Sequence, residues 1–277
     1  MPHVLGGIVR RWRMYWLTLR IVTDETQLEG GIGNRGKVVL IGDRVHRPRR
    51  TSAAIGEALL LHLEEVGFEG VPRFLGHDDN GRQIVSFVSG VVHTDHRPPW
   101  IDDDVENATV LGRIAAFLSE LHAATADFVA PADVDPFRPL PLPGKVWNHA
   151  DVHYGNIVFH GNHPIALIDW DCVAPGDCMY DPSTLLLSAK CPKFSETDCS
   201  TRAQAAALAF ASVLDGYGAS DEERATFHLS IAATFDDVAD LCFEPDGLPL
   251  HGGDIDIHDR AVKELRWQAE WWRTRSS

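Results

Sequence analysis

Long apolar runs are missing from this chain of 277 residues: nowhere does it hold the roughly 18 consecutive apolar residues that a membrane-spanning helix needs. Cysteine is scarce as well. Cys172, Cys178, Cys191, Cys199 and Cys242 are odd in number and form no C-x-x-C pair, which argues against a disulfide framework or zinc knuckle and for reduced, mostly buried thiols. Positive charge is in deficit. With 25 Lys and Arg against 40 Asp and Glu the net charge is -15, so nucleic acid is not the expected principal partner. The opening stretch MPHVLGGIVRRWRMYWLTLRIV sets its arginines inside the apolar part, against the basic-then-apolar order of a secretory signal. The expected location is therefore the cytoplasm, with no membrane partner, as a monomer or homodimer. Internal repeats and low-complexity tracts are also absent.

What is present is a composition 44% hydrophobic, enough to bury a large core in one or two domains. Its charge is unevenly spread. Residues 1–50 carry ten Lys or Arg and four Asp or Glu, whereas residues 201–260 carry three and twelve. A basic front suits phosphates and an acidic rear suits a cation.

Local patterns divide the chain near residue 90. Lys37 to Ile41 reads as a strand, the Gly42-Asp43 pair as a turn, and the following short run as a second strand stopped by Pro48. In SAAIGEALLLHLEEVGF, Ile55, Leu59, Leu60 and Leu63 fall at helical spacing, with Ser52 as the expected cap and Gly67 as the stop. VPRFLGHDDNGRQIVSFVSG gives two more strands joined by DDNG. Beyond Gly90 the polar VVHTDHRPPWIDDD precedes a helix with Leu111, Ile114, Leu118 and Leu121 on one face. A loop with five prolines follows in PADVDPFRPLPLPG, and helices are expected at 201–216, at 221–242 and in DRAVKELRWQAEWWRTR, where Val262, Leu265, Ala269 and Trp272 form a core-facing stripe. The fold class expected is α+β, in two lobes: an antiparallel sheet with one helix, then a larger, mainly helical part. Residues 1–25 read as an extension and the start of the first lobe, 26–90 as that lobe, and 91–277 as the second.

The densest chemistry lies in VWNHADVHYGNIVFHGNHPIALIDWDCVAPGD, between the proline-rich loop and two apolar strands joined by the short HGNHP turn. Asn156 stands where the first strand begins and Asp169 where the second ends, so antiparallel pairing brings them together, and Asp151 lies five residues before Asn156 on the feeding loop. One carboxylate and one amide oxygen are a sufficient protein contribution to a magnesium site that shares substrate phosphates. The remaining carboxylate is then free to take a proton from an attacking hydroxyl. The pattern is that of phosphoryl transfer.

The series His149, Asp151, Asn156, then I-D-W-D at Asp169, then APGDCMYDPSTLL, resembles the catalytic region of aminoglycoside phosphotransferases and choline kinases, which have a protein-kinase-like fold. The resemblance implies a kinase using Mg2+ and ATP or GTP on a small alcohol acceptor: an aminoglycoside, choline or another amino alcohol. It implies Asp151 as base, Asn156 and Asp169 as metal ligands, His149 as a brace for the loop, and structural roles for Asp177 and Asp181. His153 and Tyr154 are expected to pack or shape the loop. In the first lobe the phosphates fall to Gly31 and Gly33 of GGIGNRG, and the purine to main-chain groups of Ser86, Phe87 and Val88. The strand that carries a lysine in such sites reads RVHRP, so Arg47 is the substitute cation, with Glu57 its helix partner. Asp171, Asp236, Asp237 and Asp240 are the expected contacts of a cationic acceptor. Two alternatives stay open: a nucleotide-binding protein without activity, because the strand lysine is missing, and a metal-dependent hydrolase built on His149, Asp151 and His153.

Overall fold

A computed structural model describes residues 25–28, 37–50, 52–94, 97–189, 199–241 and 255–274. Its first part is a five-stranded antiparallel sheet in the order β1-β2-β3-β5-β4, built from β1 (Glu25–Gln27), β2 (Val39–Ile41), β3 (Arg44–Arg47), β4 (Phe74–His77) and β5 (Gln83–Ser86). Gly42, at φ 65°, makes the turn between β2 and β3, a left-handed conformation that glycine adopts without a Cβ penalty. The β4–β5 turn is held by Asp78, whose Oδ1 accepts the amides of Asn80 and Arg82, both at 2.9 Å.

Helix α1 (Ala53–Glu65) crosses between β3 and β4 and buries Ile55, Leu59, Leu60 and Leu63, the stripe expected from their spacing. It ends as Phe68 N–H reaches the Leu63 carbonyl at 2.8 Å, with Gly67 at φ 79°. Ser52 is not the cap that its residue type implied. Its own dihedrals are helical and its side chain makes no capping bond; its hydroxyl is turned instead towards the carbonyl of Asp171, 3.5 Å away.

Helix α2 (Asp104–Ala124) starts about two turns before the apolar stripe that begins at Leu111, because Asp103 caps it by accepting from Val105 N–H at 3.1 Å and Glu106 N–H at 2.9 Å. β6 (Val146–Asn148) pairs with β9 (Ala174–Gly176), and β7 (Ile157–His160) with β8 (His163–Leu167). The β7–β8 turn is tighter than HGNHP: only Gly161, at φ 60°, and Asn162 lie between the strands, and His163 and Pro164 already belong to β8. α3 (Tyr180–Ser188), α4 (Cys199–Tyr217), α5 (Asp221–Leu241) and α6 (Ile255–Arg273) complete the chain. In α6, Ala269 is fully buried and Val262, Leu265 and Trp272 are half-buried. No helix among the described residues is long and apolar enough to cross a membrane.

One apolar cluster joins the sheet to the helices: Leu59 and Leu63 of α1, Leu111 and Leu118 of α2, and Ile157 and Phe159 of β7 all belong to it. α2 and α4 come into backbone contact, since a Cβ on Gly216 would lie 2.1 Å from the carbonyl oxygen of Gly112. The two parts are also tied by main chain: the Leu167 amide of β8 donates to the Gly70 carbonyl at 3.0 Å.

Candidate active site

Every backbone feature around Asp151 exists to hold one loop. Strand β6 delivers Asn148 and His149, both fully buried. Ala150 then takes φ 63°, a conformation that costs a non-glycine residue on the order of 1–3 kcal/mol unless its surroundings enforce it. Asp181, at the start of α3 and fully buried, supplies that enforcement: its two oxygens accept the amides of His149 and Ala150, each at 2.8 Å. His122 of α2 donates from Nε2 to the same carboxylate at 3.0 Å, and its Nδ1 meets the Tyr217 hydroxyl at 2.7 Å.

His149 clamps the loop from the other side. Its Nδ1 accepts from Asp151 N–H at 3.3 Å and its Nε2 donates to the Ile168 carbonyl at 3.0 Å, while its ring stands edge-on to Trp170 with centroids 4.9 Å apart. The brace therefore connects the base of Asp151 to the residue just before Asp169. With both ring nitrogens engaged and the side chain buried, His149 has no lone pair for a metal. No cluster of three His, Cys, Asp or Glu able to hold a metal is found among the described residues. The histidine-based hydrolase site is thus not formed.

The side chain of Asp151 stays 45% exposed although its backbone is pinned. Its Oδ2 accepts from Asn156 Nδ2 at 3.0 Å and lies 3.7 Å from His153 Nε2. Burial pushes the Asp151 carboxyl up, but the hydrogen bond and charge of His153, helped by His149 and Asn156, outweigh it and hold the group below the ordinary carboxylate value. It is ionised at neutral pH and faces solvent, as an acceptor for a hydroxyl proton must. His153 accepts from Gly155 N–H at 3.0 Å as well, so it shapes the loop and also sets the charge of Asp151. Tyr154 is fully buried, its hydroxyl donating to Asn107 at 3.0 Å.

Asn156 gives both protons of interest to Asp151, on Oδ2 and on the main-chain carbonyl, each at 3.0 Å, which turns its amide oxygen the other way. Its backbone carbonyl accepts from Ile168 N–H at 2.8 Å, so the hairpin sets Asn156 beside the residue that precedes Asp169. Asp169 takes φ 69°, a second left-handed residue that is not glycine, and its side chain is 32% exposed. Burial first, then the charges of Asp151 and Asp169, push the Cys172 thiol up to about 12, so it stays protonated at neutral pH. One amide oxygen and one carboxylate are hard donors of the kind magnesium takes, and the turned-out Asn156 oxygen fits that use.

The first-lobe residues depart from expectation. Arg47 ends β3, 8% exposed, and its Nη2 bonds Asp169 Oδ1 at 2.7 Å and also Asp171 Oδ2. Burial lowers its pKa, but the two carboxylates raise it by more, so the guanidinium stays charged. Glu57 is not its partner. The Glu57 carboxylate is taken by Arg49, through Nε and Nη2 at 2.9 Å each, by His77 Nε2 at 2.9 Å and by Gln83 Nε2 at 3.2 Å. Two residues along the chain, Arg49 sits where the loop after β3 passes α1, whereas Arg47 faces across to the Asp169 loop.

Asp171 is 7% exposed and lies between Arg47 and Arg50, whose Nε is 3.1 Å away, so it is no acceptor contact. The other acidic candidates are neutralised internally too. Asp236 pairs with Arg266 at 2.6 Å and with Arg273, Asp240 with Arg266, and Asp237 with Arg138 at 2.5 Å and the Tyr180 hydroxyl. Those arginines lie on α6 or in the proline-rich loop, distant in sequence. Of the three residues expected to meet a purine, Ser86 donates its amide to the Arg73 carbonyl at 2.9 Å and Phe87 to that of Asp43 at 2.9 Å, leaving Val88 as the one of the three without a backbone partner among the described residues. Gly31 and Gly33 lie outside the described residues.

Beside Arg50 opens a cavity of about 700 Å³, with Arg49, Arg50 and Ser52 on one side and Asp133, Asp135 and Phe137 on the other. The Arg50 guanidinium lies 5.8 Å from the Phe137 ring centre. Neither aspartate stood out in the sequence, because a proline-rich loop gives no periodicity by which to aim a side chain.

Comparison with known proteins agrees with this arrangement. A model described as "Phosphotransferase enzyme family" matches residues 134–225, which include the loop, the hairpin and α3. No curated protein sequence matches significantly. Among solved structures, a choline/ethanolamine kinase family protein from Mesorhizobium loti is 14% identical, with a TM-score of 0.61 over 93% of this chain and 90% of that one. Amicoumacin kinase hAmiN, solved in complex with AMP-PNP, Ca2+ and Ami, is 13% identical, with a TM-score of 0.57 over 88% of each chain. A GDP complex of a mutant aminoglycoside 2'-phosphotransferase-IIIa is 15% identical, with a TM-score of 0.53 over 92% of this chain and 93% of that one. The chain therefore has the two-lobed protein-kinase-like fold of choline kinases and aminoglycoside phosphotransferases, and its loop, hairpin and α3 carry the signature of the phosphotransferase enzyme family.

Proposed function

We propose that this protein is a small-molecule kinase that transfers the γ-phosphate of ATP or GTP to the hydroxyl of an acceptor alcohol. The observation that carries the reading is Asp151 itself: an exposed, ionised carboxylate on a loop held from two sides by His149 and Asp181, and hydrogen-bonded to Asn156 beside the Asp169 turn. Asp151 accepts the acceptor's O–H proton as that oxygen bonds to the γ-phosphorus, and the bond from phosphorus to the β-phosphate oxygen breaks, releasing a nucleoside diphosphate. Asn156 and Asp169 would hold magnesium, which neutralises phosphate charge when bound. Asn156 also orients the Asp151 carboxylate through its amide protons. Val88 would receive the purine, and Arg47 the phosphates.

The neighbours' names direct the acceptor to choline, ethanolamine, aminoglycosides and related amines. With Asp171, Asp236, Asp237 and Asp240 engaged internally, Asp133 and Asp135 of the cavity take over as the carboxylates for a cationic group; neither has an ion-pair partner among the described residues. Turnover of ATP and GTP with magnesium over a panel of such acceptors tests the proposal. Asp151→Asn should lower kcat by about 10²- to 10⁴-fold without loss of folding; a folded variant with undiminished turnover would remove Asp151 from its role. Arginine in the lysine's place supports one second reading, a nucleotide-binding protein without turnover, for which nucleotide and magnesium would raise Tm while no acceptor stimulates nucleotide consumption.

A further inference from the structure

In the general kinase arrangement a strand cation is held by a helix glutamate. Here that glutamate has no capacity left, since Glu57 already receives Arg49 twice, His77 and Gln83. The strand cation is nevertheless anchored. Its single nitrogen Nη2 is shared between Asp169 and Asp171, and the Asp171 carboxylate is buried and held a second time by Arg50 Nε at 3.1 Å. Geometry keeps the two ends at a set separation: α1 lies against the loop so closely that a Cβ on Gly56 would stand 2.2 Å from the carbonyl oxygen of Trp170, the residue between the two aspartates.

We infer that Asp171 is the positioning residue for Arg47, performing from the Asp169 loop the anchoring that the helix glutamate performs elsewhere, while Glu57 positions Arg49. The assignment rests on the phosphotransferase reading. Its physical logic is that an arginine with Asp169 as its one partner would pair fully with a carboxylate that the proposed magnesium site requires. A second, buried carboxylate two residues on holds the guanidinium beside the site when Asp169 is engaged by anything else.

The experiment is equilibrium titration of the purified full chain with ATP or GTP and magnesium, without acceptor, for wild type, Asp171→Asn, Glu57→Gln, Arg47→Gln and the Arg47→Gln/Asp171→Asn pair. Asp171→Asn should weaken nucleotide binding by about 10- to 100-fold, the range for losing a charged supporting contact, with Arg47→Gln equal to it and Glu57→Gln within about 3-fold of wild type. The double variant should be no weaker than Arg47→Gln alone, because two changes to one interaction do not add. Should Asp171→Asn fail to fold, the comparison of Arg47→Gln with the double variant still decides, as the double change leaves no unpaired charge at 47 or 171. Wild-type-like binding by Asp171→Asn, a Glu57→Gln defect as large, or multiplicative losses in the double variant would each overturn the inference. A wild-type chain that binds neither nucleotide is a different result: it overturns the kinase reading and this inference with it.

Discussion

Asp181→Asn tests whether the loop of Asp151 is imposed by α3. The carboxylate is fully buried, and its two oxygens each accept one loop amide at 2.8 Å, with His122 donating at 3.0 Å. Asparagine keeps the shape but offers a single oxygen, so the amide of either His149 or Ala150 loses its acceptor and faces an NH2 group. Loss of one charge-assisted bond is worth about 1.5–3 kcal/mol, and an orphaned buried donor about 1–3 kcal/mol, so the variant should lose roughly 3–5 kcal/mol. That is a large part of the roughly 5–15 kcal/mol that stabilises an ordinary domain. The melting temperature should drop by on the order of 10 °C, at about 2–4 °C per kcal/mol for chains of this size. Urea unfolding followed by circular dichroism measures the change, as a lower midpoint at unchanged slope. The left-handed Ala150 is held chiefly by these bonds, so nucleotide turnover should fall with stability. An unfolding free energy within about 1 kcal/mol of wild type would refute the claim that Asp181 enforces the loop.

Two further outcomes follow from the contacts. Gly56→Ala should destabilise by about 1–3 kcal/mol in urea unfolding, because the added methyl meets the Trp170 carbonyl and overpacking outweighs the roughly 1 kcal/mol that alanine adds to helix propensity; an equal or higher midpoint would show that α1 does not press on the Asp169 loop. Stability should also fall with acid. For Glu57, burial is outweighed by the hydrogen bonds of Arg49 and His77, and for Asp78 the hydrogen bond of His46 leads, so both carboxyls are held below their unfolded values. Their contribution is complete above the unfolded range of about 3.9–4.3 and is lost as pH falls through the folded values. Thermal melts from pH 7 down to 3 should show the loss, and it should be smaller in Glu57→Gln and in Asp78→Asn.

What could be read along the chain was whatever is local in sequence. The α1 and α2 stripes follow from helical spacing, the Gly42 turn from the one residue type that tolerates its φ, and the loop chemistry from residues 149–156, eight consecutive positions of which the hydrogen bond between Asp151 and Asn156 needs no distant partner. The short β6 and β9 were not legible, since three residues each, one of them Pro175, carry no period, and they are strands only because they lie against each other. Charge pairing was equally hidden. Arg47 meets its carboxylates across 122 and 124 positions, Asp237 meets Arg138 across 99, and an acidic segment that looked open to a cation is closed by arginines of α6 and the proline-rich loop. The amino-acid order alone determined which groups can do chemistry and which short segments present them, because hydrogen-bonding type and backbone preference are properties of a few neighbouring residues. Packing decided which cation faces which carboxylate, because attraction between charges becomes specific only when burial removes water and the fold sets the distance.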